Sequence, residues 1–133
     1  MKALKSRITH AFQKGGMIPA ADNSGAKILR VISFRGGKGV KGRNMSGGIG
    51  DFITASVWIG SPEMRKKVVN AVIIRQRKEF RRSDGTRVCF EDNAAVVLKD
   101  DKGNPKGTLI KGPVAKEVIG RWPAVAKLAK IVV

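Results

Sequence analysis

One apolar run held between two clusters of cations constrains this chain more than any other feature. Arg65, Lys66 and Lys67 lead into Val68, Val69, Ala71, Val72, Ile73 and Ile74. Arg75, Arg77, Lys78, Arg81 and Arg82 follow, with Arg87 just beyond an Asp84-Gly85 turn. A β-branched run of this length predicts a buried strand. Its ends are predicted to lie at the surface, because unpaired guanidinium and ammonium groups are too costly to desolvate. The fold must close around the middle while holding cations in fixed positions outside, and a polyanion is the partner that such a frame suits.

The rest of the chain reads as short strands punctuated by turns. Met17 to Ala21 predicts a strand that ends in the turn-rich Asp22-Asn23-Ser24-Gly25, and Lys27 to Phe34 a second. Arg35 to Gly50 is a loop of Gly, Lys and Arg, long enough to suggest a function. Asp51 to Ile59 alternates, with Ile53, Ala55, Val57 and Ile59 expected on the buried face. Val68 to Arg77 is the fourth strand. Phe80 to Arg82 and Arg87 to Phe90 flank Asp84-Gly85 as a hairpin, and Ala94 to Leu98 is another strand. Asp100 to Pro105 is a turn leading to Thr108, Leu109 and Ile110. Pro113 is expected to open a helix that Gly120 ends, and Pro123 a second, with Trp122, Val125, Leu128 and Ala129 near helical spacing. This pattern predicts a mainly β fold, a small barrel with short C-terminal helices. The expected organisation is a basic N-terminal arm, residues 1–16, and one domain, 17–133, whose helical segment spans about 113–130.

Charge narrows the partner. The 133 residues carry 27 Lys and Arg against 10 Asp and Glu, a formal net charge of +17. Lys27 to Arg87 holds 15 of those cations against four acids, so this region is the expected polyanion face. No apolar run approaches the roughly 20 residues of a spanning helix, and a membrane partner is not expected. Met1 to Lys14 has no apolar core and no small-residue cleavage site, so a secretory signal is not expected. Cys89 is the only cysteine, which excludes an intrachain disulfide and favours a reducing cytoplasm. With His10 the only histidine, no structural zinc site and no fixed Cys-His or Ser-His nucleophile pair is expected.

Gly37-Lys38-Gly39-Val40-Lys41-Gly42 matches a dinucleotide fingerprint, but Arg43 to Gly48 cannot open the helix that such a site requires. It reads better as a flexible basic loop whose glycines let the backbone approach phosphates, the plain alternative being a solvated loop. Glu91-Asp92 and Asp100-Asp101 are adjacent pairs with no arrangement for acid-base work. No catalytic set, no metal ligand set and no cofactor is expected. The arginines from Arg75 to Arg87 suit phosphate, against the bland reading of a protected sheet edge. Phe52, Trp58, Phe80 and Phe90 fall in expected strands, where core packing is the default. The expected partner is therefore structured RNA recognised by backbone and shape.

At this point the chain resembles a known family, the universal large-subunit ribosomal proteins numbered fourteen. The resemblance rests on Ala71, Val72-Ile73-Ile74, a basic spacer, Asp84-Gly85, Phe90, Asn93 and Val96-Val97, with Ala21 to Ala26 near the start and Gly112-Pro113-Val114 with Glu117 near the end. Gly39 to Arg43, Pro62 to Lys67, Arg75 to Lys78 and Trp122-Pro123 resemble the archaeal and eukaryotic branch. The resemblance implies a closed five-stranded β-barrel with small C-terminal helices, bound to large-subunit ribosomal RNA near the small subunit. It implies neighbours of the third and twenty-four-e large-subunit types, small-subunit RNA at inter-subunit bridges, and initiation factor six on the C-terminal side. That side corresponds to roughly Gly107 to Lys130, with Leu109, Val114, Lys116, Trp122 and Lys127 as the expected partner surface. The bacterial docking site has an arginine at the position of Leu109, so that one contact is not carried over.

The expected function is a non-enzymatic structural constituent of the large ribosomal subunit, in the cytoplasm. Lys38, Lys41, Arg43, Arg75, Arg77, Lys78, Arg81, Arg82 and Arg87 are the expected phosphate contacts, with Lys2, Lys5 and Arg7 joining through an arm that orders on binding. Asn23 and Asn93 are expected to shape turns. The rival is a free-standing oligonucleotide-binding barrel acting as an RNA-binding regulator, which requires Phe52, Trp58, Phe80 and Phe90 to be exposed. A nucleotide-handling enzyme using the glycine loop is the more distant rival.

Overall fold

Alternating burial along two nine-residue strands organises the main sheet. The computed structural model describes residues 1–133. In chain order the elements are β1 (Phe12–Gln13), β2 (Met17–Pro19), β3 (Ala26–Phe34), β4 (Ser46–Gly47), β5 (Phe52–Gly60), β6 (Val68–Arg75), β7 (Phe80–Arg81), β8 (Arg87–Val88) and β9 (Ala94–Leu98). Then come β10 (Pro113–Val114), α1 (Lys116–Arg121), α2 (Pro123–Leu128) and β11 (Ile131–Val132). Five strands form one antiparallel sheet in the order β2-β3-β5-β6-β9. Leu29, Val31 and Phe34 of β3 and Ile53, Ala55 and Val57 of β5 point into the core. Ala71 to Ile74 and all five residues of β9 are buried without alternation. Such continuous burial requires cover on both faces. Val114 and Ala115 supply part of it over β6, where the Ile74 carbonyl accepts the Ala115 N–H at 3.4 Å.

The sheet curls but does not close, which corrects the expected closed barrel. Its edge strands β2 and β9 meet at one parallel bridge, Ala20 to Ala95, and share no ladder. The sequence explains the gap. β2 is three residues long and ends in Pro19, which has no N–H to donate. Two residues past the bridge the chain turns away. There the Asp22 carboxylate, 5% exposed, substitutes for a backbone acceptor and takes the Val97 N–H at 2.7 Å. Its other oxygen takes the Ser24 N–H and hydroxyl at 3.2 and 2.6 Å. A side chain thus reinforces edges that the backbone joins at a single bridge.

Three further expectations are corrected. Ile59, expected on the buried face of β5, is 46% exposed. Ile28 pairs with Ile59 and Leu29 with Val57, so Trp58 is an extra residue, and the bulge turns the end of the strand over. Pro113 does not open a helix. It lies in β10, paired in parallel with Ile131, and α1 begins only at Lys116, while Gly120 sits inside that helix. Pro123 does open α2. The arm is docked on the body: Ile8 and Phe12 are in the core, and β1 pairs with β4 inside the glycine-rich loop. Gly47 permits this approach, since a Cβ there would stand 2.5 Å from the Phe34 ring.

Candidate nucleic-acid interface

The site begins with an imbalance of charge that folding does not remove. Only four ion pairs form: Arg75–Asp92, Arg82–Glu117, Arg87–Glu79 and Arg121–Asp51. The other Lys and Arg side chains, out of 27, have no carboxylate partner. Nine of them, Lys2, Lys5, Arg7, Lys38, Lys41, Arg43, Arg77, Lys78 and Arg81, lie on three segments, and the rest are spread over the surface.

The first segment is the glycine-rich loop. Lys38, Lys41 and Arg43 are exposed. Lys41 and Gly42 both have positive φ, 56° and 76°, and the Arg43 N–H donates to the Val40 carbonyl at 3.3 Å. This is the geometry of a tight primed turn, and it puts a lysine at a position where glycine or asparagine is usual. At the loop base the arm closes in, with His10 Nδ1 and Ser46 Oγ 2.9 Å apart. The hollow between them, about 390 Å³, is lined by Arg35, Lys38 and Arg43 with one acid, Asp51. That carboxylate is already engaged by the Gly48 N–H and by Arg121.

The second and third segments are the arm tip and the β7–β8 hairpin. Phe80 pairs with Val88 and Arg81 with Arg87, so two arginines stand directly opposite each other. Arg87 meets Glu79 at 2.9 Å, but the two side chains are 68% and 50% exposed, so the pair is weak and exchangeable. Arg81 has no such partner. The Asp84 carboxylate at the tip takes the Thr86 N–H at 2.8 Å, and Thr86 hydrogen bonds hold its pKa below the usual range. Lys5, Ser6 and Arg7 of the arm face Arg81, Arg82 and Ser83 across a hollow of about 440 Å³ without an acid or an apolar side chain. Lys2 lies beside it. Arg77 and Lys78 are exposed at the hairpin base.

Four expected site residues are withdrawn. Arg75 is 5% exposed, and its guanidinium serves Asp92 and the carbonyls of Lys111 and Pro113. Arg82 donates to Glu117 at 2.9 Å and to the Val133 oxygen at 2.6 Å, with only 14% of its side chain exposed. Val114 is fully buried. Trp122 is 2% exposed, donates its indole N–H to the Gly50 carbonyl at 2.8 Å and packs on Phe52 at 5.8 Å. Of the expected partner surface, Lys116 and Lys127 are exposed and Leu109 is half-buried. Asn23 and Asn93 shape the chain as expected: Asn23 Oδ1 accepts from the Thr108 and Leu109 N–H groups, and Asn93 Oδ1 from that of Arg77.

Sequence reasoning missed Gln76. It is fully buried, accepts the Ile49 N–H at 3.1 Å and donates to the Thr9 and Lys78 carbonyls at 3.0 Å each. One amide therefore ties the arm, the end of the glycine loop and the hairpin base together. Between two arginines it read as a spacer. Gln76→Leu leaves the Ile49 N–H and the Thr9 carbonyl without partners and should cost about 2 kcal/mol in urea unfolding. A stability unchanged within error would remove Gln76 from this role.

The comparisons with known proteins fit this geometry. The family model described as Ribosomal protein L14p/L23e matches residues 11–133. The chain belongs to this family. Relatives named large ribosomal subunit protein uL14 align along the full length of both chains, at 50% identity in Nanoarchaeum equitans and 53% in Halorubrum lacusprofundi. One from Methanococcus maripaludis is 52% identical over 99% of each chain. This is a family of structural ribosomal proteins. The aromatics bear on the rival regulator. Phe52 and Phe80 are buried and Phe90 is half-buried, so three of the four aromatics which that reading requires are not exposed. Trp58 alone departs from core packing, at 51% exposed.

Proposed function

We propose that this chain is a structural constituent of the large ribosomal subunit in the cytoplasm and binds large-subunit ribosomal RNA through the arm, the glycine loop and the β7–β8 hairpin. Full-length similarity to large-subunit proteins carries the reading. Lys2, Lys5, Arg7, Lys38, Lys41, Arg43, Arg77, Lys78, Arg81 and Arg87 are the phosphate contacts. They neutralise neighbouring RNA strands and release counterions, while the curled sheet keeps them at fixed separations. The exposed side of the C-terminal elements, with Leu109, Lys116 and Lys127, faces the protein neighbours: the third and twenty-four-e large-subunit types, and initiation factor six. Small-subunit RNA is met at inter-subunit bridges.

A tagged copy expressed in an archaeal host should sediment with large subunits in a gradient and stay there through moderate salt. Sedimentation as free protein at low salt would overturn the assignment.

A further inference from the structure

Trp58 is the one large aromatic side chain that the fold places outside its core, and the backbone around it is built to do so. It is the extra residue of the β3–β5 bulge, without a partner on β3. On the other side the β5–β6 ladder ends at Ser56 and Val68, two residues short of it. Bulges re-aim side chains, and here the indole is left 51% exposed. Arg30 holds its guanidinium over one ring face, 5.5 Å from the centroid. A basic turn is fastened beside it. The Val57 N–H donates to the Lys67 carbonyl at 2.9 Å, and the Val57 carbonyl accepts the Lys66 N–H at 3.0 Å. Lys66 sits in the left-handed region at φ 65°, which costs energy for a lysine and fixes the turn's outward display. Trp58, Ile59, Arg65 and Lys66 line a hollow of about 520 Å³ with no acid in it. Neither Arg30, Arg65 nor Lys66 is in an ion pair.

We propose that Trp58 is a stacking platform for a single unpaired RNA base, with Arg30 behind the ring and Arg65 and Lys66 on the adjoining phosphates. The proposal rests on the RNA-binding reading above and adds to it a contact that phosphate neutralisation does not supply. An apolar protein segment fits the hollow less well. It would bury Arg65 and Lys66 without compensating charge, whereas a nucleotide brings a π-face and an anion together. The site lies apart from the arm and hairpin, so it extends the RNA footprint across the outer face of β3 and β5.

The test uses the full chain, a short oligoadenylate and an RNA duplex of similar length at one salt concentration. Trp122 is buried, so quenching of tryptophan emission on titration reports Trp58. Oligoadenylate should quench the emission saturably and the duplex should not. Trp58→Ala should weaken oligoadenylate binding about tenfold, the loss of one base stack. It should leave duplex affinity within about twofold and both salt slopes unchanged, because no charge is removed. Trp58→Phe should recover much of the loss. An exposed position makes unfolding an unsuitable explanation, and the unchanged duplex affinity checks it. Absence of quenching, equal loss for both RNAs, or no loss overturns the stacking site. If salt-dependent duplex binding persists in that case, the RNA-binding reading stands without it. If neither RNA binds in a salt-dependent way, both fail.

Discussion

Arg75→Ala should destabilise the fold by about 3 kcal/mol while leaving the salt dependence of RNA binding intact. The magnitude follows from what the guanidinium holds. Its Nη1 donates to the Lys111 carbonyl at 2.9 Å and the Pro113 carbonyl at 2.6 Å. These bonds fasten β10 onto the end of β6, and truncation takes the guanidinium partner from two part-buried acceptors and empties its buried site. Asp92 contributes less. It meets Nε and Nη2 at 2.9 and 3.1 Å, but its side chain is 58% exposed, so solvent screens that part of the interaction. Asp92→Asn should therefore cost under about 1 kcal/mol. Arg75→Lys should not rescue the alanine variant, because an ammonium cannot serve a carboxylate and two carbonyls in one plane. In thermal unfolding the alanine variant should melt about 10 °C lower. Full stability together with a flattened salt slope would return Arg75 to the phosphate contacts and overturn its structural role.

Arg75 also shows what the sequence could and could not disclose. Alternation in β5, apolar runs in β3, β6 and β9, and turn chemistry at Asp84-Gly85 made these elements legible, since they depend on neighbours along the chain. Burial of a particular cation depends on what folds over it. Pro113 and Lys111 lie more than 35 positions away, and no local pattern announces them. The same holds for Arg82, whose partner Glu117 is 35 residues distant. Gln76 was invisible because its three partners come from three segments. The short strands β1, β4, β10 and β11 have two residues each, too few for any periodicity to register. Failure to close the barrel had a local cause, Pro19 on a three-residue edge strand, and that cause was present in the sequence. Trp58 was placed in a strand correctly, but the bulge that exposes it is a property of the pairing with β3.

Replacing Lys5, Arg7 and Arg81 together by alanine should reduce affinity for large-subunit ribosomal RNA on the order of a hundredfold at physiological salt. The three cations face one hollow from two segments, with no acid among its lining residues. Each phosphate neutralised contributes roughly 0.7–0.9 to the log–log salt slope, so the triple variant should lose about 2 to 2.7 units. The loop set Lys38, Lys41 and Arg43 should lose a similar amount independently, because its hollow shares no residue with the first. Surface truncations of this kind should each move stability by no more than about 0.5 kcal/mol. Arg82→Ala is the informative control. It lines the same hollow, yet its guanidinium is committed to Glu117 and the Val133 oxygen. It should lower stability and leave the slope nearly unchanged. If Arg82→Ala flattened the slope as much as Arg81→Ala, burial would have failed to separate the cations that hold the protein from those that hold RNA. A triple variant with the wild-type slope would show instead that the arm and hairpin do not meet phosphate at all.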